Sequence, residues 1–321
     1  MALPTIPWEA HFDGNAPETF DIMPCFLSSY LDRAAEQFGK RKAIVFENMN
    51  MTYAQLRDKA EQFAASLREH GLENGDRVAI MLPNLPQTII AFWGALKAGG
   101  IVVMTNPLYM EKELTHHFTD AAPKFLITLD IFWNKLAPLR ERLEIQTYVV
   151  TRIADGLAFP LNWLQPLQAR RQGGIPHIAY DQRVLRWKEM FRTGKRYSAE
   201  MSDPRNTIAL LQYTGGTTGF SKGAMLTHYK ISQLLSIIRG DAQSTPHLFI
   251  GVMPFFHVFG LVGTVLLPAV YASPTIPVPR YVPHDLLELI RKRRPTFFCG
   301  APAIYMSLMQ QKDIKKYDLT C

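Results

Sequence analysis

The hydrophobic period of this sequence switches back and forth between that of a helix and that of a strand, and this alternation restricts the fold more than any other feature. Phe26, Leu27, Tyr30, Leu31, Ala34, Ala35 and Phe38 recur at helical spacing until Gly39. Ala43-Ile44-Val45-Phe46 reads as a strand. Thr52 opens a second helix, with Gln55 three residues later as in a capping box. That helix is expected to run to about His70 and to stop at Gly71. Strands are expected at 77–82, 101–104 and 125–128, with Tyr148-Val149-Val150 closing the series, and helices at 88–98 and 111–120. Repeated β-α-β with short connections predicts an α/β chain of mostly parallel, doubly wound sheets with helices on both faces.

Composition allows a large core: 47% of the 321 residues are hydrophobic and 20% are charged. Net charge is +7, a mild excess that suits an anionic substrate or surface. The densest basic run, Arg291-Lys292-Arg293-Arg294, follows an apolar pattern at helical spacing. It reads as a solvated helix end, and nucleic acid is not an expected partner. Cys25, Cys299 and Cys321 are far apart with no CxxC pair, so neither a disulfide framework nor a zinc site is expected, and no metal ligands are assigned. A reducing cytoplasm fits that usage. Met1-Ala2-Leu3-Pro4 lacks the basic start of a secretory signal. Leu248 to Ala272 carries no Asp, Glu, Lys or Arg, long enough to raise a membrane span. Pro254, Pro268 and His257 interrupt it, so it reads as a buried strand, a turn and a buried helix.

Residues 152–200 break the rhythm and hold nine Lys/Arg against four Asp/Glu. The apolar run from Leu157 to Leu167 followed by Arg170-Arg171 has two readings: a contact with an anionic membrane surface, or an ordinary insert packed on the domain. Beyond it, 207–213 reads as a strand, then a Gly/Thr-rich loop, then a helix over 227–239.

That loop is the most informative run. Gly215, Gly216, Gly219 and Gly223 let the backbone approach a ligand closely. Successive N–H groups make an anion cradle, Thr214, Thr217 and Thr218 add hydroxyls, and Lys222 adds a cation. Together these suit a polyphosphate. The common P-loop spacing is absent, since Lys222 is followed by Gly223, and a Gly/Thr loop alone could also be a flexible surface turn. The string Thr214 to Gly223, however, resembles the signature loop of the adenylate-forming enzymes. It departs from the usual pattern at Gly215, where a Ser is typical, and at Ser221, where a Pro is frequent. The flanks, Leu211-Gln212-Tyr213 and Ala224-Met225-Leu226-Thr227-His228, look most like bacterial long-chain fatty acid–CoA ligases, as do Met81-Leu82-Pro83-Asn84 and Thr105-Asn106-Pro107-Leu108-Tyr109. The resemblance implies that the loop holds the β- and γ-phosphates of ATP and that Lys222 neutralises charge there.

A second signature is Met253-Pro254-Phe255-Phe256-His257-Val258-Phe259-Gly260. Taken alone, His257 could be a core histidine satisfied by backbone. By resemblance it stands beside the substrate carboxylate, with Phe259, Gly260 and Gly263 on the following helix. The two glycines fit either room for an acyl chain or close helix packing. Amino-acid-activating relatives place an Asp beside this position, and its absence here leaves a substrate ammonium without a counter-charge. The resemblance therefore implies a long-chain fatty acid as substrate, Mg2+-ATP and coenzyme A as co-substrates, and Lys222 and His257 as the catalytic pair. A ligase for another carboxylic acid, or a catalytically incomplete nucleotide- or acyl-binding module, are the alternatives. It also implies two α/β subdomains. Residues 1–200 form the first, with its basic insert at about 152–200; residues 201–321 form the second, incomplete one with the loop and acyl pocket. The adenine- and ribose-contacting motifs and a small C-terminal domain would lie beyond Cys321, so this chain alone is not expected to turn over at a useful rate. The expected location is cytoplasmic, with peripheral association at the inner membrane face and a homodimer both left open.

Overall fold

A computed structural model describes residues 24–171, 176–214, 221–239 and 247–320. Helix α1 (Ser28–Phe38) precedes an antiparallel pair, β1 (Lys42–Phe46) and β2 (Met49–Thr52). The capping box then starts α2 (Tyr53–Glu69). Thr52 Oγ1 accepts from Gln55 N at 3.3 Å, and Gln55 Oε1 accepts from Thr52 N at 2.9 Å. Gly71 takes φ +90°, which a side chain would resist, and the chain turns there.

The alternation continues through β3 (Arg77–Met81), α3 (Pro86–Lys97), β4 (Ile101–Met104), α4 (Glu111–Ala121) and β5 (Phe125–Leu129). After a one-turn α5 (Trp133–Leu136) come β6 (Thr147–Thr151), α6 (Leu161–Arg171), β7 (Val184–Arg186) and β8 (Ile208–Thr214). Then follow β9 (Lys222–Thr227), α7 (His228–Arg239), β10 (Phe249–Gly251), α8 (Val258–Leu261), α9 (Leu267–Val270), β11 (Thr275–Pro277), α10 (Pro283–Arg293), β12 (Phe297–Phe298) and α11 (Pro302–Met309).

Two sheets result. The seven-stranded sheet runs β7-β6-β5-β3-β4-β8-β9, parallel except for edge strand β9. The five-stranded sheet runs β12-β10-β11-β1-β2, parallel except for edge strand β2. The sheets do not divide at residue 200: β8 and β9 join the sheet built from residues 77–186, while β1 and β2 join the one built from residues 249–298.

Helix α3 is buried along its whole length. Phe92 and Trp93 share one apolar cluster with Ile44 and Phe249 of the smaller sheet and Val78, Ile80 and Val102 of the larger. Each such aromatic contributes about 1.5–3 kcal/mol by leaving water, so this shared core ties the two sheets together. Alternate residues of β3, Ala79 and Met81, face a second cluster with Leu114 and Phe118 of α4. A strand buried on both faces reads as a continuous apolar run, as Val78 to Leu82 does.

The uncharged stretch folds as a strand, a turn and a helix. The helix carries a π segment, Val262–Leu266, between α8 and α9. Pro268 has no N–H to give, and its ring would clash with the carbonyl four residues earlier. Widening the preceding turn relieves that clash. Among the described residues no helix is long and apolar enough to cross a membrane.

Two expectations need correction. The strand at Tyr148 does not close the series, because β7 pairs beyond β6. Lys222 opens strand β9 rather than lying in a loop that leads straight to a helix. The later half of the 152–200 segment packs onto α2: Trp187 and Phe191 approach Phe63, with ring centroids 5.1 and 6.1 Å away. Lys195 pairs with Glu69 at 2.8 Å, and Arg196 pairs with Asp58.

Candidate active site

Strands β8 and β9 form a hairpin in which Tyr213 faces Gly223 and Thr214 faces Lys222. Residues 215–221 join the two strands. Gly215, Gly216, Thr217, Thr218 and Gly219 lie outside the described residues. The stems on either side carry Thr214 and Lys222, both solvent-exposed at the open end. Gly223 does a second job besides flexibility. A Cβ there would sit 3.0 Å from the Tyr213 ring, so the missing side chain lets the tyrosine lie across its partner strand.

Tyr213 in turn locks the hairpin to α4. Its hydroxyl donates to Asp120 Oδ2 at 2.5 Å, and its ring lies 4.1 Å from the His117 ring. Burial and the neighbouring carboxylate raise the Tyr213 pKa, so the phenol stays a donor. His117 is buried, shares a hydrogen bond with Thr105 Oγ1 at 2.9 Å, and has its pKa lowered by burial to about 4. It is therefore neutral at pH 7. His116 Nε2 lies 3.0 Å from Ser221 O. Helix α4 thus grips both stems of the hairpin. Sequence reading did not find Asp120 or His116 as part of this site. Nothing local marks them, because Asp120 is 93 positions from its partner.

The second signature lies where β10 passes into α8. His257 N donates to Pro254 O at 3.0 Å and closes a turn. His257 then caps α8: Nδ1 accepts from Phe259 N at 3.2 Å. In the neutral ring that bond puts the proton on Nε2, making it a hydrogen-bond donor. His257 and Phe259 are both exposed. The space beside the two glycines is filled by protein. A Cβ on Gly260 would lie 2.2 Å from Pro254 O, and one on Gly263 would lie 2.6 Å from Cys299 Sγ. These contacts fit the close-packing reading of the two glycines.

The two signatures meet. Gln212, two residues before Thr214, donates from Nε2 to Phe256 O at 3.2 Å, immediately before His257. Both signatures follow the carboxyl ends of parallel strands, β8 after β4 and β10 beside β11. Ligands of open α/β sheets bind at such ends. A separate cavity of about 340 Å3 lies between β1, β11 and α10, lined by Phe46, Ile276 and Leu286 with Arg280 and Lys292. No signature residue borders it, so the convergent polar groups, not this cavity, define the candidate site. Among the described residues no three His, Cys, Asp or Glu cluster to hold a metal ion.

The profile described as AMP-binding enzyme matches residues 31–320. A long-chain-fatty-acid–CoA ligase of Bacillus subtilis (strain 168) is 36% identical over 98% of this chain and 57% of its own length. A crystal structure of an anthranilate CoA ligase in complex with anthranoyl-AMP superposes with a TM-score of 0.78 at 20% identity, over 92% of this chain and 53% of that one. A long-chain-fatty-acid-CoA ligase from Archaeoglobus fulgidus gives 0.73 at 21% identity, over 94% and 57%. The chain therefore spans a little over half the length of its curated and solved relatives.

Proposed function

Because this chain belongs to the AMP-binding enzyme family, we propose that it forms the nucleotide- and acid-binding part of an ATP-dependent long-chain fatty acid–CoA ligase. The observation that carries this reading is the Gln212–Phe256 bond, which brings the phosphate hairpin up to the His257 turn. One site can then hold two anions that repel each other. Lys222 and the loop amides neutralise the β- and γ-phosphates, and the Nε2–H of His257 orients the carboxylate. A carboxylate oxygen attacks the α-phosphorus, and the bond to pyrophosphate breaks. The thiolate of coenzyme A then attacks the acyl carbonyl and AMP leaves. Magnesium enters on the phosphates of ATP. The protein contributes position and charge rather than covalent chemistry.

The absence of any acidic residue between Leu248 and Ala272 supports a plain carboxylic acid over an amino acid. The identity to the Bacillus subtilis ligase supports a long acyl chain. The test is ATP–pyrophosphate exchange on the complete reading frame, with palmitate, octanoate and benzoate side by side. Exchange that prefers palmitate supports the reading. Preference for benzoate would make it an aryl-acid ligase, and no exchange with any acid would leave a binding module.

A peripheral membrane location on the cytoplasmic side is favoured by one feature of the 152–200 segment. Phe159, Trp163 and Leu164 stand 78%, 70% and 47% exposed at α6, whose last residues are Arg170 and Arg171. An exposed aromatic edge of this kind, in a segment with nine Lys/Arg against four Asp/Glu, suits an anionic lipid surface, where fatty acids partition. Co-sedimentation with anionic vesicles, lost in Phe159→Ser/Trp163→Ser, is expected. Equal recovery of both forms in the supernatant at low salt would remove the idea.

A further inference from the structure

We propose that Asn84 is a positioning residue for this site: its amide fixes the backbone of the turn that carries His257, and so sets where the imidazole stands relative to the phosphate hairpin. This inference rests on the acid-activation reading above. Asn84 lies three residues after β3, in the seven-stranded sheet, and is 4% exposed. Its Nδ2 donates to Gly251 O and to Met253 O, both at 2.9 Å, and its Oδ1 accepts from Phe255 N at 2.8 Å. All three partners lie between the last residue of β10 in the other sheet and the start of α8. Both amide hydrogens and one carbonyl lone pair are therefore spent on one short segment, from across the sheet boundary.

The segment needs them. Met253 and Phe255 lie between strand and helix, where no ladder serves their backbone groups, and such groups must be satisfied when buried. Only a side chain with a donor and an acceptor on one plane can meet this pattern. Aspartate has no hydrogens for the two carbonyls, and leucine would leave Met253 O and Phe255 N unpaired while Gly251 O kept only its bond from Val278 N at 2.9 Å. The neighbouring contacts leave the turn little freedom. Gln212 holds Phe256 O at 3.2 Å from β8, and Gly260 packs directly on Pro254 O. Residues 251, 253, 255 and 256 are thus held by amides on β8 and just past β3 of the seven-stranded sheet, while His257 itself remains exposed. The same sheet carries Thr214 and Lys222. Asn84 and Gln212 together refer His257 to the strand that leads into the phosphate loop. Displacing a reacting group by about 1 Å costs on the order of 100-fold in rate, so the strut matters to the chemistry beyond its share of stability.

Two measurements test it. In this chain, hydrogen–deuterium exchange is compared for wild type and Asn84→Ala. Exchange of the 251–257 segment is expected to rise at least about tenfold while 77–82 and 101–104 stay within about twofold, since local opening follows the lost bonds. In the complete reading frame, palmitate-dependent exchange should lose about 100-fold in kcat with KM for ATP within about twofold. Asn84→Asp, which sets a buried carboxylate against the Gly251 and Met253 oxygens, should lose at least as much as Asn84→Ala. Tyr53→Phe is the stability control. It removes a buried hydroxyl bonded to Pro268 O and Ser273 O, both at 2.7 Å, and should leave kcat within about twofold. Unchanged protection at 251–257, a uniform rise across the chain, an unchanged kcat in Asn84→Ala, or an equal kcat loss in Tyr53→Phe would each overturn the proposal. Absence of wild-type exchange activity would instead reject the acid-activation reading, with the hydrogen-exchange result still deciding the strut.

Discussion

Acidification should weaken the fold through a histidine remote from the chemistry. His228 is 1% exposed at the start of α7. Its Nδ1 accepts the amide proton of Leu27 at 3.1 Å, and the Phe26 ring packs edge-on at 5.0 Å. A protonated ring would lose the acceptor and bury a charge, and burial lowers its pKa from 6.5 to about 4. Because the folded value is depressed, the unfolded chain takes the proton first. Stability is therefore complete above about pH 6.5, falls as the pH drops toward about 4, and stays level below that. The loss from this one group is about 2 kcal/mol at pH 5 and on the order of 3 kcal/mol below pH 4. Asn places an amide oxygen near the position of Nδ1, so His228→Asn keeps an acceptor for Leu27 and removes the titration. Urea unfolding followed by circular dichroism at pH 7, 6 and 5 should show wild type losing about 2 kcal/mol more than His228→Asn over that interval. Parallel pH profiles for the two proteins would refute the argument.

Other expectations follow from specific contacts. Gly260→Ala places a Cβ 2.2 Å from a backbone oxygen and should cost about 1–3 kcal/mol, read as a lower thermal midpoint; an unchanged midpoint would mean the turn can retreat. Lys97 is buried and reaches Asp32 at 2.5 Å and Glu61 at 3.3 Å. Lys97→Ala strands two carboxylates and should destabilise by about 3 kcal/mol in the same assay, more than the removal of either acid. Thr52→Ala breaks the capping box of α2 and should cost about 1 kcal/mol in urea unfolding. Lys222→Ala should abolish palmitate-dependent pyrophosphate exchange while leaving the circular dichroism spectrum unchanged.

What could be read from the sequence was what neighbouring residues decide. Thr52 and Gln55 signal a helix start within four residues, and the apolar run Val78 to Leu82 signals a strand covered on both faces. Strands β2 and β9 gave no such signal. Both are edge strands, and β9 mixes exposed and half-buried residues from Lys222 to Thr227 with none buried. The short β11 and β12, of three and two residues, are defined by the strands they pair with rather than by their own composition. In the site, Lys222 and His257 were legible as motif positions. Asn84 and Gln212 also stood out as motif positions, but what they hold was not legible. Asn84 and Phe255 are 171 positions apart, and Gln212 and Phe256 are 44 apart, so their meeting exists only once both sheets have formed around α3. Gly260 and Gly263 left chain room and close packing equally open, because a sequence does not say what will fill the space beside a missing side chain.

The central claim, attack of a fatty acid carboxylate on the α-phosphorus of ATP, is tested most directly by following oxygen. The complete reading frame would be supplied with palmitate labelled with 18O in its carboxylate, Mg-ATP and coenzyme A, and the phosphorus products analysed by mass. One labelled oxygen per turnover is predicted in AMP, with unlabelled pyrophosphate. Label in inorganic phosphate accompanied by ADP would mean attack at the γ-phosphorus and would contradict the account.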